Sequence, residues 1–566
     1  MHRPAILRLL PLALFACANE PAADTDAPAG STGDAPKSGP VWYPEVQTLV
    51  VQNCGRCHSD DGDAPFSLDD YTSAKAMAAA LLASVEAGTM PPWHADPACQ
   101  RFEGERILAD DQKALLRAWV DAGAPEGDPA DAATIEPPSR VTFTPTFTGV
   151  VSGYEPPKTY LDDWRCFLFP EIAFTEETWL VGAEVVPGSP AVHHVLVYAI
   201  EPDQVPLALE ADAAEAGLGY TCFGGPLPSS GSGMGMGMGG FAGGFPNQLG
   251  AWVPGIEPEL LTDGTARRVN AGSMVVAQVH YNMLYVEPTQ DLTEVRLLRG
   301  ETPPQRLRIT SALNYRELDI PAGESDVSFT SRVPYYADDP LELLGFTGHM
   351  HMLGSSIRAR ATAPDQSETC LVDIPKWDFH WQQHYTKPVA EALRIAPGSA
   401  LELTCTYDNS VENQPLVDGV QQAPKDVGWG ESSLDEMCLL YIERIEDYRP
   451  QPAADAPKCG ASAACLAACG DSPTRCLLEC DDTDFGCFSC TLSAAGSCAQ
   501  TCIAPLLSGA RECFMGCAMG SMMLGGNVGE CLASECADSY ATFADCMDGA
   551  LAGACAEPLA ACGVTP

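Results

Sequence analysis

The chain has 566 residues, 46% of them hydrophobic, which is enough to build several domains with buried cores. Its 76 acidic residues outnumber its 31 basic residues, so the net charge is −45, and a surface of this sign repels the phosphates of a nucleic acid. Beyond the N-terminal segment, no apolar run is long enough to span a bilayer. These totals predict a soluble multidomain protein that does not bind nucleic acid.

The first 17 residues have the order of an export signal: Arg3 and Arg8, an apolar run, then Ala16 and Cys17. The end of this stretch, Leu14 to Cys17, resembles a bacterial lipobox, in which the cysteine is lipidated and becomes the mature N-terminus. Cleavage at an ordinary signal site is the alternative. We predict an exported protein, periplasmic or at the cell surface, that a lipid on Cys17 anchors to a membrane. In an oxidising compartment its 25 cysteines are expected to form mainly disulfides.

Two regions of different composition follow the signal. Residues 18–40 are small, acidic and rich in proline, so they are predicted to form a disordered tether. Residues 41–130 place apolar side chains three and four apart, which predicts a small all-α domain. Asp110 is expected to be a helix N-cap there, and Gly123 lies near a predicted helix end.

The α domain contains the motif CGRCH, formed by Cys54, Cys57 and His58. This spacing is typical of covalent c-type haem attachment, in which the thiols add to the haem vinyl groups and the imidazole binds the iron. Met90 follows in a proline-rich loop, and the arrangement resembles class I cytochrome c, whose distal methionine comes from such a loop. We expect one haem c on these four residues, with a chance match or a Cys54–Cys57 disulfide as the alternative. His94 is expected to be a surface residue.

Residues 140–450 consist of short β-like runs separated by Pro, Gly, Asp and Asn. The region is large enough for two all-β sandwich domains of jelly-roll-like type, which we place at residues 140–297 and 298–450. A low-complexity loop, PSSGSGMGMGMGGFAGGFP, interrupts the first. Its methionines could capture copper, but an ordinary flexible insertion is the preferred interpretation.

Five of the ten histidines lie inside apolar β runs. A single buried imidazole is usually a hydrogen-bonded core residue, but a pair, a single residue and a second pair indicate a metal. Imidazole suits copper and zinc, and an added thioether favours copper because soft sulfur stabilises Cu(I). Adjacent residues on a regular strand face opposite ways, so two adjacent histidines can share an ion only where the strand ends or bulges. The five are His193, His194, His280, His349 and His351.

Five stretches between residues 160 and 448 resemble, in order, the copper type II, ascorbate-dependent monooxygenases: DDWRCFLFP, HHVLVY, VHYN, GHMHMLG and DEMCLLY. The resemblance implies two stacked β domains whose copper ions face each other across a solvent cleft. One copper, which stores and relays an electron, would be bound by His193, His194 and His280. The second, where O2 is activated, would be bound by His349, His351 and Met437.

The resemblance also implies a disulfide between Cys405 and Cys438 behind the methionine ligand. His380 and His384 lie outside the matched ligand positions, so they are expected to support the ligands or to lie at the surface.

The chain departs from the pattern of the peptide-amidating members of this family. In those enzymes an Arg before the His-x-His pair and an Asn after the Met ligand help to hold the peptide carboxylate. The same positions are Thr347 and Leu439 here, and only the tyrosine persists, as Tyr441. A glycine-extended peptide is therefore not expected as the substrate.

We predict an enzyme that hydroxylates a C–H bond of a small organic molecule with O2. The haem domain would replace ascorbate, taking electrons from an ascorbate-like or periplasmic redox donor and passing them to the copper of the first three histidines. Two alternatives are a non-catalytic lipoprotein that transfers electrons through copper and haem, and a structural surface protein with vestigial metal sites.

The last region, residues 456–566, holds 16 of the 25 cysteines. Several recur as Cys-x-x-x-Cys, which places both sulfurs on one face of a helix. Two antiparallel helices of this kind can be joined by paired disulfides, so we predict a helical, disulfide-rich module. A metal cluster is the alternative, disfavoured because the segment has no histidine and export would oxidise its thiols.

Overall fold

The computed structural model describes residues 39–60, 62, 64–136, 140–227, 247–284, 286–417, 419–450 and 511–551. The export signal, Cys17 and the methionine-rich loop lie outside these ranges, as do the tether up to residue 38 and most of the cysteine-rich region. None of the helices in the described ranges is long and apolar enough to cross a membrane. Five disulfides join pairs of described cysteines, which fits an exported protein.

The N-terminal region is helical, as the spacing of its apolar residues predicts. A turn at Trp42–Val46 leads into the helices α1 (Gln47–Asn53), α2 (Tyr71–Glu86) and α3 (Asp110–Asp121). The side chain of Asp70 caps α2 by accepting the N–H of Ser73 at 3.0 Å. Asp110 is the first residue of α3, and the N-cap is Ala109, so the predicted cap was wrong by one residue. These helices share a small apolar core that includes Trp42, Leu116 and Trp119.

The first β half contains ten strands and one helix among its described residues. The strands are β1 (Phe147–Val150), β2 (Asp162–Ala173), β3 (Thr178–Val186), β4 (Val192–Ile200), β5 (Tyr220–Thr221), β6 (Asn247–Trp252), β7 (Glu259–Leu260), β8 (Thr265–Val269), β9 (Met274–Asn282) and β10 (Glu294–Arg299). The helix is α4 (Val205–Ala214). Because β10 runs through residue 298, a boundary between the halves fits the stretch after Arg299 better than residue 297.

The second β half contributes thirteen strands among its described residues. They are β11 (Arg306–Asn314), β12 (Asp319–Ile320), β13 (Val327–Tyr335), β14 (Leu341–His349), β15 (Gly354–Thr362), β16 (Glu368–Ile374), β17 (Tyr385–Thr386), β18 (Leu393–Ile395), β19 (Ser399–Tyr407), β20 (Leu416–Val417), β21 (Val420–Gln421), β22 (Val427–Gly428) and β23 (Leu439–Asp447).

One sheet runs through both halves. Its ten strands follow the order β1-β10-β3-β8-β11-β23-β14-β17, with β7 and β18 beside β3 and β14. The halves meet where β8 and β11 pair in parallel, with Thr265 opposite Arg306. In each half a smaller sheet packs against it: β5-β2-β9-β4-β6 in the first and β13-β19-β15-β16 in the second. The halves are therefore joined by main-chain hydrogen bonds, which the strand pattern of the sequence does not indicate.

The segment after α2 is attached to the second β half. A disulfide joins Cys99 to Cys370. The backbone N–H of Asp96 donates to the carbonyl oxygen of Asp373 at 2.8 Å, and Phe102 is buried in the core of the second half. The segment after α2 is thus packed against the second β half and covalently joined to it.

The described part of the cysteine-rich region forms the helices α5 (Arg511–Leu524), α6 (Val528–Glu535) and α7 (Ala537–Leu551). Disulfides join Cys513 to Cys536 and Cys517 to Cys531. The prediction of helices joined through a Cys-x-x-x-Cys pair is confirmed for α5, while the other predicted pairs lie outside the described residues. Helix α5 packs on β13.

Candidate metal centre

A bulge in β4 brings three histidines together. The pairing of β4 with β9 shifts register between Val192 and His194, and His194 lies opposite His280. This shift is the irregularity that adjacent histidines need in order to face one ion. One ring nitrogen from each of His193, His194 and His280 lies within 4.8 Å of the other two.

The orientation of His280 is set by a carboxylate. Its Nε2 lies 3.0 Å from Oδ1 of Asp162, and its ring stacks on Trp164 at 3.9 Å. Nε2 must carry the proton for this hydrogen bond, because an ionised carboxylate only accepts. Burial raises the pKa of Asp162, but hydrogen bonds from His280 and Ser433 outweigh it and hold the pKa below its usual range. The lone pair of His280 is therefore on Nδ1, which is buried.

The second group forms at the end of β14. His349 is the last residue of the strand, and its Nδ1 lies 2.7 Å from Oε1 of Gln382. His351 follows the strand, and its Nδ1 lies 3.2 Å from the main-chain oxygen of Asp435. Both acceptors are oxygens, so each Nδ1 carries the proton and each Nε2 carries the lone pair. The two ring centroids are 5.2 Å apart.

The pairing of β14 with β23 brings the chain near Met437 toward these histidines, because it sets Thr347 opposite Tyr441 and His349 opposite Leu439. Met437 lies two residues before Leu439, just outside the strand, and is 3% exposed. These five residues border one cavity.

The structure anchors the chain around Met437 from behind. Cys438 forms a disulfide with Cys405, the pair that the resemblance implies. The hydroxyl of Tyr407 donates to the main-chain oxygen of Met437 at 2.8 Å. These two contacts fix the backbone from which the flexible side chain of Met437 extends.

The residue before Met437 is a buried acid that the sequence analysis missed. The carboxylate of Glu436 accepts the backbone N–H groups of His351 at 2.9 Å and Leu353 at 2.6 Å, and that of Met437 at 3.2 Å. Burial raises the pKa of Glu436 to about 8, although these N–H groups oppose the shift. The sequence could have pointed to Glu436, because this residue lies within the matched stretch DEMCLLY, directly before Met437.

Burial favours the neutral form of four of these histidines, two in each group. It lowers the pKa of His349 to about 4 and that of His351 to about 3. Burial likewise holds the pKa values of His193 and His194 well below the usual range. Neutral imidazoles offer a lone pair to a metal without first losing a proton.

Three ring nitrogens in these groups are buried and have no hydrogen-bond partner among the described residues: Nε2 of His193, Nδ1 of His280 and Nε2 of His351. An unsatisfied buried nitrogen costs about 1–3 kcal/mol, so three at one place require an explanation. Soft or borderline metal ions accept such lone pairs, and a thioether beside imidazoles suits copper. The donor set therefore fits copper.

The two groups are in contact. The ring centroids of His194 and His349 are 5.8 Å apart, and His193 stacks on Phe379 of the second half at 4.5 Å. The resemblance predicts a solvent cleft between two separate metal sites. In this structure the imidazoles of the two halves pack against each other at that place.

A cavity of about 490 Å³ opens beside the groups. Its wall near them includes His194, His349, Met437 and Tyr441. Further along, the wall is charged: Arg267 and Arg308 both bond to the buried carboxylate of Glu443. A volume of this size accommodates a small organic molecule.

The remaining histidines differ in environment. Nδ1 of the buried His384 pairs with Oγ1 of Thr347 at 2.9 Å, so His384 supports the cavity wall. His380 is exposed and lies against Asp378. His94 was expected at the surface, but it is half-buried, and burial lowers its pKa.

The CGRCH motif lies at the other end of the cavity. Neither Cys54 nor Cys57 is part of a disulfide, and burial raises the pKa of Cys54 to about 12. Nδ1 of His58 lies 3.1 Å from the main-chain oxygen of Phe66, which leaves Nε2 as the lone-pair nitrogen. Met90 is half-buried in the loop after α2.

Two arginines connect this motif to the cavity wall. Arg56, inside the motif, forms an ion pair with Glu257 at 2.7 Å, and both side chains line the cavity. Arg106 donates to the side-chain oxygen of Gln383, which neighbours Gln382, the partner of His349. Arg106 of the helical region therefore contacts the chain segment that also carries the hydrogen-bond partner of His349.

One family model matches part of the chain. Residues 314–463 match the model of the C-terminal domain of copper type II ascorbate-dependent monooxygenases. The match contains His349, His351 and Met437, and it supports copper-dependent monooxygenase chemistry at the level of the family. No curated protein matches the chain.

Solved structures show only weak likeness. The major capsid protein P2 of bacteriophage PM2 shares 9% identity over 52% of this chain and 100% of its own, with a TM-score of 0.21. A chain of the T13 IBDV viral particle shares 10% identity over 54% of this chain and 77% of its own, with a TM-score of 0.09.

Proposed function

We propose that the protein is a copper-dependent monooxygenase that hydroxylates a C–H bond of a small organic substrate with O2. One copper would be held by His193, His194 and His280, and the other by His349, His351 and Met437. The observation that carries the proposal is the contact of two histidine groups beside one cavity, with three buried ring nitrogens lacking hydrogen-bond partners among the described residues. The family match supports the chemistry.

Bound copper supplies one-electron redox chemistry and the activation of O2. The contribution of the chain is orientation. Three of the proposed ligand histidines each donate a hydrogen bond from one ring nitrogen, to Asp162, Gln382 or the main-chain oxygen of Asp435. The other ring nitrogen of each histidine carries the lone pair that would bind the ion. The disulfide behind Met437 and the carboxylate of Glu436 hold the sulfur ligand on the same side.

The cavity would hold the substrate. Tyr441, Thr347 and Leu439 line it beside His349 and Met437, so a C–H bond placed there lies next to the second group.

A c-type haem would be attached to Cys54 and Cys57, with His58 and Met90 as its axial ligands. Two observations support this assignment: the two thiols are outside disulfides, and the contact of His58 Nδ1 with a carbonyl oxygen leaves the lone pair on Nε2. The haem would supply electrons that the animal enzymes take from ascorbate. The link from Arg106 through Gln383 leads to the second histidine group, whereas the sequence points to the first as the electron acceptor. Export with a lipid on Cys17 remains part of the proposal.

The first test is the copper and haem content of the full-length, copper-loaded protein by elemental analysis. We expect two coppers per haem, falling to one in His193→Ala and one in His349→Ala. His380→Ala is the matched control, because this exposed histidine lies outside both groups, and it should keep two coppers.

Oxygen uptake with candidate substrates then separates an enzyme from an electron carrier. An enzyme consumes O2 in proportion to hydroxylated product, and both histidine variants lose this activity. One copper or none in the wild type would contradict the two-copper proposal. A copper-loaded protein without covalent haem would contradict only the electron supply.

A further inference from the structure

One side chain is hydrogen-bonded both to the first histidine group and to the chain segment that precedes Met437 of the second group. Asp162, at the start of β2, is 6% exposed. Its Oδ1 accepts from Nε2 of His280 at 3.0 Å and from the side chain of Asn282 at 2.8 Å. These two partners belong to β9 of the first half.

The same carboxylate reaches across to the second half. Its Oδ2 accepts the backbone N–H of Ser433 at 2.9 Å and the hydroxyl of Ser432 at 3.1 Å, while Oδ1 also accepts the hydroxyl of Ser433 at 2.8 Å. Five donors therefore converge on one buried carboxylate, two from the first half and three from the second. Charge-assisted hydrogen bonds of this kind are among the stronger ones in proteins.

The serines belong to the segment that builds the second group. Ser433 lies two residues before Asp435, whose carbonyl oxygen orients His351, and four residues before Met437. At its other end the segment is held by Glu436, which accepts the N–H of His351. Movement of the serines would therefore move both Met437, a proposed ligand, and Asp435, whose carbonyl oxygen orients His351.

We propose that Asp162 is a positioning residue shared by both histidine groups. It keeps Nδ1 of His280 directed toward the first metal position, and through Ser432 and Ser433 it holds the Met437 segment against the first half. The contact between His194 and His349 depends on this attachment. The inference rests on the proposed function, because it assigns the groups to two bound coppers.

A residue that only supported the fold would behave differently. Loss of purely structural hydrogen bonds lowers stability without changing the ligand field of a bound ion or the separation of two ions. Asp162→Asn is the informative change because it keeps the size of the side chain. Its amide carries one oxygen and one NH2 group, so it can accept from His280 or from the N–H of Ser433, but not from both in the present arrangement.

The experiment titrates the metal-free full-length protein with Cu(II) alone and records binding and the electron paramagnetic resonance spectrum. In Asp162→Asn we expect the affinity of the first site to fall about 10- to 100-fold, as for other residues that orient metal ligands. The copper hyperfine splitting of that site should also change. Ser433→Ala keeps the His280 contact, so it should leave the splitting unchanged and reduce the magnetic dipolar broadening between the two Cu(II) ions.

Tyr448→Phe is the matched control, because its hydroxyl also bonds across the halves, to Glu177 at 3.2 Å, away from the cavity. It should change neither splitting nor broadening. Wild-type spectra and affinity in both Asp162→Asn and Ser433→Ala would overturn the inference while leaving two copper sites in place. A wild-type protein that binds no Cu(II) would overturn the proposed function itself, and the inference with it.

Discussion

Both groups are built from histidines, but the residues that orient these histidines differ between the two groups. In the first group His280 is oriented by the carboxylate of Asp162, whereas in the second group His349 and His351 are oriented by an amide oxygen and a main-chain carbonyl oxygen. An anionic partner makes an imidazole a stronger donor to a cation. In the proposed second site the soft sulfur of Met437 would be added, and it would stabilise Cu(I). Under this proposal the hydrogen-bond partners of the histidines and the added sulfur would make two unlike copper sites.

The largest expected effect comes from removing the feature that only the second group has. Met437→Leu should lower hydroxylation by more than about 100-fold, which exceeds the loss typical of a supporting residue. Two imidazoles remain, so Cu(II) binding should persist while Cu(I) binding at the second site weakens. Competition with a Cu(I) chelator measures this difference. Met350→Leu is the control and should retain Cu(I) binding, because Met350 lies between His349 and His351 in the chain but is buried in the apolar core. Equal Cu(I) affinity in both variants would remove the sulfur from the ligand set.

Each half contains a disulfide, so the effect of a cross-link on copper binding can be tested in one half at a time. Replacing Cys405 and Cys438 with alanine should lower the free energy of unfolding by about 2–5 kcal/mol and weaken copper at the second site. Replacing Cys166 and Cys222 should cost a similar amount but leave the second site intact, because that bridge joins elements of the first half. Urea unfolding combined with copper titration measures both effects. A second site that binds normally without the Cys405–Cys438 bridge would show that other contacts position Met437.

Acidification should destabilise the metal-free protein. The unfolded chain binds protons on histidine below about pH 6.5, but buried His349 and His351 remain neutral until about pH 4 and 3. The unfolded state then holds more protons, so the free energy of unfolding falls as the pH drops from about 6.5 toward 4.

Glu436 opposes this trend. Its raised pKa means that the folded state keeps a proton up to about pH 8, so its contribution to stability is lost as the pH rises from about 4.5 to 8. Glu436→Gln should therefore show a steeper loss of stability on acidification than the wild type. Urea midpoints of the metal-free proteins between pH 7.5 and 5 check this. Parallel curves for the two proteins would contradict the assignment.

The amide of Gln382 is expected to contribute less to copper affinity at the second site than the carboxylate of Asp162 does at the first. Gln382→Leu is expected to weaken copper at the second site by about 10-fold, at the low end for a supporting residue. Gln383→Leu is the adjacent control, because Gln383 bonds to Arg106 and not to His349. Equilibrium copper titration of the two variants gives the comparison. An effect as large for Gln383 as for Gln382 would point to the whole segment as the determinant.

The smallest effect is expected at Thr347. Thr347→Val removes the hydrogen bond to His384 and should cost about 1 kcal/mol of stability, because one buried ring nitrogen loses its partner. Copper binding should remain unchanged, since His384 belongs to neither group. A loss of copper in this variant would place His384 among the ligands.

The sequence predicts much of the local structure. The spacing of apolar residues predicts the helices near residues 47–121, and alternation predicts the strands that carry His280 and His349. The requirement for a bulge at His193 and His194 follows from the two-residue repeat of a strand alone, and the structure meets it. The joined sheet was missed because the parallel pair between β8 and β11 is short and links distant segments.

By itself the sequence determined which candidate ligands are available: five histidines in apolar runs, a methionine in a matched stretch and the residues of a CGRCH motif. These are local features, because they depend on residue type and on spacing along a few residues. Only the tertiary structure decided how they are held. Asp162 bonds to a serine 271 positions away and Gln382 to a histidine 33 positions away, and neither contact leaves a pattern in the chain. Ring orientation, the contact between the two groups and the docking of the helical region all arise from such long-range contacts.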